Sequence, residues 1–187
     1  GLDWNAARND PRSVAAAAAI FDTRKSIDHL QGGFAFERCF GENQLQITAH
    51  VGIRQVIQFQ SIPKALQQAS ASHSGGVIDF ERDFHGVGLR WSGVHDMAGG
   101  RLTLTTGLDY EASNDERRGY ENFIGSQLGV KGALRRRESD EVTSADPYLQ
   151  AELERGAFSL TAGVRYSSVR FEVDDRYRIN GDDSGSV

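Results

Sequence analysis

The chain has one cysteine, three prolines and no apolar run near the ~20 residues that a membrane-crossing helix needs. A single thiol, Cys39, excludes an internal disulfide framework and a cysteine-built zinc site. A basic surplus is missing as well. Twenty-one Lys and Arg stand against 26 Asp and Glu, and a net charge of −5 is not the footprint of a nucleic-acid binder. Polarity is not extreme enough for disorder either, because ten Phe, five Tyr and two Trp supply material for collapse. The five histidines, His29, His50, His73, His85 and His95, are scattered without an HExxH or similar ligand spacing, so no metal site or cofactor is expected. There is no G-x-S-x-G elbow to suggest a nucleophilic hydrolase. The opening Gly1-Leu2-Asp3-Trp4 carries neither methionine nor signal peptide, which reads as a mature or excised segment.

What is present is glycine, 21 of 187 residues, and a period of two. From Gln44, the apolar residues Leu45, Ile47, Ala49, Val51 and Ile53 alternate with Gln46, Thr48, His50, Gly52 and Arg54. From Arg101, Leu102, Leu104, Thr106, Leu108 and Tyr110 oppose Thr103, Thr105, Gly107, Asp109 and Glu111. From Phe158, Leu160, Ala162, Val164 and Tyr166 oppose Ser159, Thr161, Gly163, Arg165 and Ser167. Such alternation marks strands with two different faces. Less regular strands precede them at about 25–40, 80–94 and 147–153, which gives an all-β chain of antiparallel up-and-down hairpins with about six strands.

Matching apolar residues across each hairpin sets an expected register. It pairs Phe40 with Leu45, Val94 with Gly99 and Leu153 with Phe158, around turns at 41–44, 95–98 and 154–157. It also sets Asp146 opposite Arg165. The hairpins alternate with long connections, about 61–75 and about 115–144, so short turns lie at one end and long loops at the other. Loops beyond ~12–15 residues are uncommon in soluble sandwiches. Outer-membrane barrels have short turns on one side, long loops on the other, an apolar band toward lipid and a polar lumen. After Tyr166 the alternation resumes one residue out of phase as Val169, Phe171 and Val173, which predicts a bulge near Ser167-Ser168. Asp10-Pro11 reads as N-cap and first turn of a short helix through 14–21, and the tail from Asn180 has loop composition. Trp91, Phe40 and Phe158 suit an interfacial aromatic girdle, with Cys39 beside it as an inert, half-buried thiol.

Three segments carry a resemblance: Arg117-Arg-Gly-Tyr-Glu-Asn-Phe123, DPYLQAELERGAFSLTAGVRYSSVRFEVDDRY over 146–177, and GGVIDFERDFHGVGLRW over 75–91. Together they resemble the barrel domain of TonB-dependent outer-membrane receptors, in the branch of ferric-citrate and siderophore receptors. The resemblance implies a transmembrane barrel of about 22 strands around a plug domain. Residues 1–24 would form an extracellular loop with a short helix and 25–187 a partial barrel, the plug and remaining strands lying elsewhere in the parent. It further implies a transport protein of the cell outer membrane, with no enzymatic activity, that imports an anionic ferric chelate such as ferric citrate or a siderophore. Its partners would be that ligand, TonB through the plug region and outer-membrane lipid. No nucleic acid is implied, and an isolated fragment could pair its edge strands with another copy.

Ligand-binding candidates in the expected 115–144 loop are Arg117, Arg118, Arg135, Arg136 and Arg137, because guanidinium forks match carboxylates bidentately. Solvation, or contact with lipopolysaccharide phosphates, is the plainer reading of such a charge run. Two other classes stay open at this point. A soluble or small-barrel ligand-binding module would bury the band of Leu45, Ile47, Leu102, Leu104, Leu160 and Val164, and an outer-membrane barrel enzyme would need a Ser/His/Asp cluster at the loop end.

Overall fold

The computed structural model describes residues 4–97, 99–177, 179 and 181–187. Two short helices, α1 (Trp4–Asn9) and α2 (Ala16–Ile20), lead into β1 (Arg24–Phe40) and β2 (Asn43–Phe59). A third helix, α3 (Lys64–Ala69), interrupts the connection to β3 (Val77–Met97) and β4 (Gly100–Tyr120). A small hairpin, β5 (Phe123–Ile124) and β6 (Gln127–Leu128), precedes β7 (Leu134–Arg155), β8 (Phe158–Arg165), β9 (Ser168–Asp175) and β10 (Gly185–Ser186). The long strands form one antiparallel sheet in the order β1-β2-β3-β4-β7, with β8 and β9 both on the far side of β7. This is the expected all-β meander, left open at β1 and at β8 and β9.

The sheet is a single layer. Among the described residues, the buried apolar side chains are Phe21, Val56, Phe59, Val77 and Phe123, all at the long-loop end. Lower down, Phe34, Val51, Val87, Leu149, Leu160 and Val164 stand open on one face. A soluble module would bury these residues against a second layer, and no such layer covers them here. The expected lipid-facing side is therefore the convex face, and Gln46, Thr48, His50, Arg54, Thr103, Asp109 and Arg165 occupy the other.

All three hairpin registers differ from expectation. Phe40 pairs with Asn43, Met97 with Gly100 and Arg155 with Phe158, so the strands run on to two-residue turns at 41–42 and 156–157, and β3 continues through Met97. Ala98, part of the expected 95–98 turn, lies outside the described residues. Gly41 and Gly156 open their turns at φ +61° and +60°, the left-handed start that a type II′ hairpin requires. Phe36 consequently meets Ile47, Leu89 meets Leu108 and Leu149 meets Val164. Each correction is an even number of residues, so every side chain keeps its face. Hydrophobic matching is satisfied equally by registers two apart, and turn geometry decides between them.

The expected loop over 115–144 is mostly strand. β4 continues to Tyr120 and β7 begins at Leu134, leaving a connection of 121–133 that itself carries β5 and β6. The other long connection, 60–76, is close to expectation. Strands of 21 and 22 residues rise about 50 Å at a ~40° tilt, roughly twice the ~25 Å apolar band, so the wall projects well beyond it.

No bulge occurs at Ser167-Ser168. Tyr148 pairs with Arg165 and Ala145 with Ser168, three steps on both strands, so the register continues unshifted. The ladder lapses because Pro147 has no N–H to donate, although its carbonyl accepts from Tyr166 N at 3.0 Å. Val169, Phe171 and Val173 therefore share the face of Arg165. At the N-terminus, Asp10 caps no following helix; its carboxylate accepts from Arg12 N at 3.0 Å in a turn after α1, and α2 has no side-chain cap. Asn180, in the expected tail loop, lies outside the described residues, but that tail contains β10, which pairs with β9. Cys39 is exposed rather than half-buried, because β1 is an edge strand.

Candidate functional site

The concave face is defined by a cavity of about 330 Å³ that touches His29 on β1, Arg54 on β2, Arg82 and Phe84 on β3, Glu111 on β4, and Val142 and Ser144 on β7. Only a curved wall lets five strands line one space. Phe84 lies over its cross-strand neighbour Gly52, where a Cβ would come within 2.4 Å of the ring. The ring stacks on His29 at 5.8 Å between centroids. Gly86 plays a similar part lower down: with no side chain between them, His50 on β2 reaches Glu111 on β4, Nε2 to Oε2 at 3.1 Å.

Above this cavity the wall is held by ion pairs. Arg82 forks onto Asp115, Nε to Oδ1 at 2.6 Å and a terminal nitrogen to Oδ2 at 2.5 Å, and Asp115 is only 5% exposed. That hydrogen-bonded carboxylate holds Arg82 above the usual guanidinium range. Arg117 reaches Glu138 at 3.2 Å and Asp140 at 3.3 Å, while Arg136 forks onto Glu138 at 2.7 and 2.6 Å. Lower on the same face, Arg165 contacts Asp146 at 2.9 Å and Asp109 at 3.5 Å. Arg165 faces Tyr148 directly and Asp146 diagonally, so the expected pair forms in a shifted register.

Arg54 is different. It stands opposite His29 on one side and Arg82 on the other, and no carboxylate partners it among the described residues.

The five arginines expected in one loop do not converge. Arg117 and Arg136 face the concave side with Glu138. Arg118 faces the convex side, 3.3 Å from Glu81 and 3.6 Å from Asp79, and Arg137 is its cross-strand neighbour there. Arg135 is the extra residue where the β4–β7 register shifts, and its guanidinium binds loop carbonyls: Gln67 O at 3.0 Å, Ser70 O at 2.6 Å and His73 O at 3.3 Å. It is a clamp between connections. The same joint buries Gln67 and Asn122 completely; Gln67 Nε2 donates to Asn122 Oδ1 at 2.7 Å, and Asn122 Nδ2 donates to Gln60 O at 2.7 Å and Ile62 O at 3.1 Å.

Sequence reasoning missed Arg82, Glu138 and Asp140 as wall residues. The available signal was the alternation of opposite charges across β4 and β7, legible only once 115–120 and 134–141 are recognised as strand.

The architecture is similar to that of the ferric citrate transporter FecA in its unliganded form, with a TM-score of 0.66 over 87% of this chain at 13% identity. The chain spans 23% of that structure's length. The family model described as TonB dependent receptor-like, beta-barrel, matches residues 1–187, a family of outer-membrane receptors and transporters rather than enzymes. The chain, over its whole length, therefore belongs to the TonB-dependent receptor β-barrel family.

Proposed function

We propose that this chain is part of the barrel wall of an outer-membrane receptor that takes up an anionic ferric chelate, of the ferric citrate or siderophore type, with energy delivered through TonB. The observation that carries this reading is Arg54. It is a pore-facing guanidinium with no carboxylate paired to it among the described residues, set beside a second arginine, a histidine and an aromatic ring in a cavity whose carboxylate, Glu111, is engaged by His50. A cation left without an internal partner beside an apolar ring suits an anionic, partly apolar chelate. The arginines above it, Arg82, Arg117 and Arg136, are each held by carboxylates, which leaves them positioned rather than free. Arg118, Arg135 and Arg137 do not contribute to this surface.

The test uses the full-length receptor in detergent, titrated with ferric citrate by intrinsic fluorescence. Loss of one charge-assisted hydrogen bond in Arg54→Gln weakens binding about tenfold. Unchanged affinity in that variant, with binding intact in the parent, refutes the role of Arg54. Absence of ferric citrate binding by the parent sends the search to other chelates.

A further inference from the structure

On the concave face, one row of the sheet runs Arg54, Arg82, Asp115 and Asp140 across β2, β3, β4 and β7, each residue directly opposite the next. The row therefore sets cation against cation at one end and carboxylate against carboxylate at the other. Like charges directly opposite one another destabilise an antiparallel pair. Exchanging Arg82 and Asp115 would place opposite charges side by side along the whole row, so stability alone does not account for the order. The central pair carries the compensation: both oxygens of Asp115 accept from Arg82, at 2.6 Å from Nε and 2.5 Å from one terminal nitrogen. Arg82's other terminal nitrogen has no hydrogen-bond partner among the described residues. Asp140, 4% exposed, turns to Arg117 at 3.3 Å, and its second oxygen is buried without a partner.

We propose that Asp115 is a positioning residue that sets how strongly the cavity attracts an anion, an inference that rests on the ferric-chelate reading above. Arg82 lines the same cavity as Arg54 and its side chain is 42% exposed, so two guanidiniums lie within reach of one ligand. Asp115 occupies one edge of the second and neutralises its charge, which leaves Arg54 as the cation without a carboxylate among the described residues. Two unpaired guanidiniums side by side would clamp a carboxylate-rich chelate from both flanks, since each fork matches a carboxylate bidentately. Such a clamp would hold the ligand against onward passage, because a transport site must bind well enough to fill and weakly enough to empty. Asp115 itself is only 5% exposed and lies outside the cavity lining, so it acts on the ligand through Arg82 rather than by contact.

The test titrates the full-length receptor in detergent, by intrinsic fluorescence, with two anionic probes, ferric citrate and a ferric tris-catecholate. Asp115→Asn removes the charge and one of the two acceptor oxygens. It is expected to tighten binding about tenfold, the size of one charge-assisted hydrogen bond gained from Arg82. Asp115→Ser removes the charge by a second route and shows the same gain, which covers a failure of the amide variant to fold. Asp115→Glu keeps the charge and retains the parent affinity. In an Arg82→Gln background Asp115→Asn brings no gain, because its effect passes through Arg82. A merely structural role for Asp115 gives weaker or unchanged binding in the Asn and Ser variants, and that result overturns the proposal. A gain that persists without Arg82, or that Asp115→Glu shares, overturns it as well. A parent that binds neither probe refutes the reading above, whereas a parent that binds one and gains nothing on loss of the Asp115 charge refutes this inference alone.

Discussion

Replacing Asn122 by alanine removes three side-chain hydrogen bonds from a site with no exposure: one accepted from Gln67 and two donated to the carbonyls of Gln60 and Ile62. Ile62 O retains its bond from Gln67 Nε2 at 2.8 Å, so the uncompensated groups are chiefly Gln60 O and one N–H of Gln67. A buried polar group left without a partner costs about 1–3 kcal/mol, so the joint between the two connections loses about 2–4 kcal/mol. The reading out is local rather than global. Amide hydrogen exchange in the refolded full-length receptor reports opening of Gly129 N and Gly132 N on one connection and of His73 N and Gly76 N on the other. The loss corresponds to acceleration of roughly 30- to 700-fold. Both sets are expected to accelerate together, because Asn122 and Arg135 bind 60–76 and 121–133 into one body. Acceleration confined to 121–133, or less than threefold anywhere, refutes the shared joint.

Gly75 takes φ +91° with Tyr120 O only 2.1 Å from where a Cβ would stand, so Gly75→Ala should cost about 2–4 kcal/mol in urea unfolding from lipid vesicles. Leu160→Arg places a charge in the apolar band and should cost a similar ~2–4 kcal/mol in the same assay, falling toward zero for substitutions near the band's edges. Arg82→Met leaves the buried Asp115 without its fork; because the Arg82 side chain is 42% exposed, about 1–2 kcal/mol is expected, and a double-mutant cycle with Asp115→Asn should return most of it as coupling. The 187-residue chain alone, with β1 unpaired on one side and an uncovered apolar band, should require detergent and sediment as more than a monomer. A monodisperse monomer in plain buffer would contradict the exposed band.

Where lipid and water lie on opposite sides of the sheet, the sequence was readable residue by residue. Leu45 to Ile53, Leu102 to Tyr110 and Phe158 to Val164 all take the face that their alternation indicates. Beyond the band both faces are wet, and the hydrophobic period falls silent, which is why Asp115 to Tyr120 and Leu134 to Ser144 resembled a loop. The information there is charge, Arg117 against Glu138 and Arg82 against Asp115, and it becomes visible only when strands are already aligned. The same cause dispersed the arginine cluster, since consecutive residues on a strand face opposite ways. Pro147 misled in another manner, because a missing donor interrupts a ladder without inserting a residue.

The glycines of the inner wall have a mechanical consequence. Within this chain the sheet is a single layer, so its curve is held by contacts along the wall itself. At Gly86 the missing side chain lets His50 and Glu111 clasp one another across an intervening strand, and at Gly52 it lets Phe84 lie flat. Such clasps act as tie-rods across the concave side, bracing neighbouring strands in the curve that strand number and stagger demand.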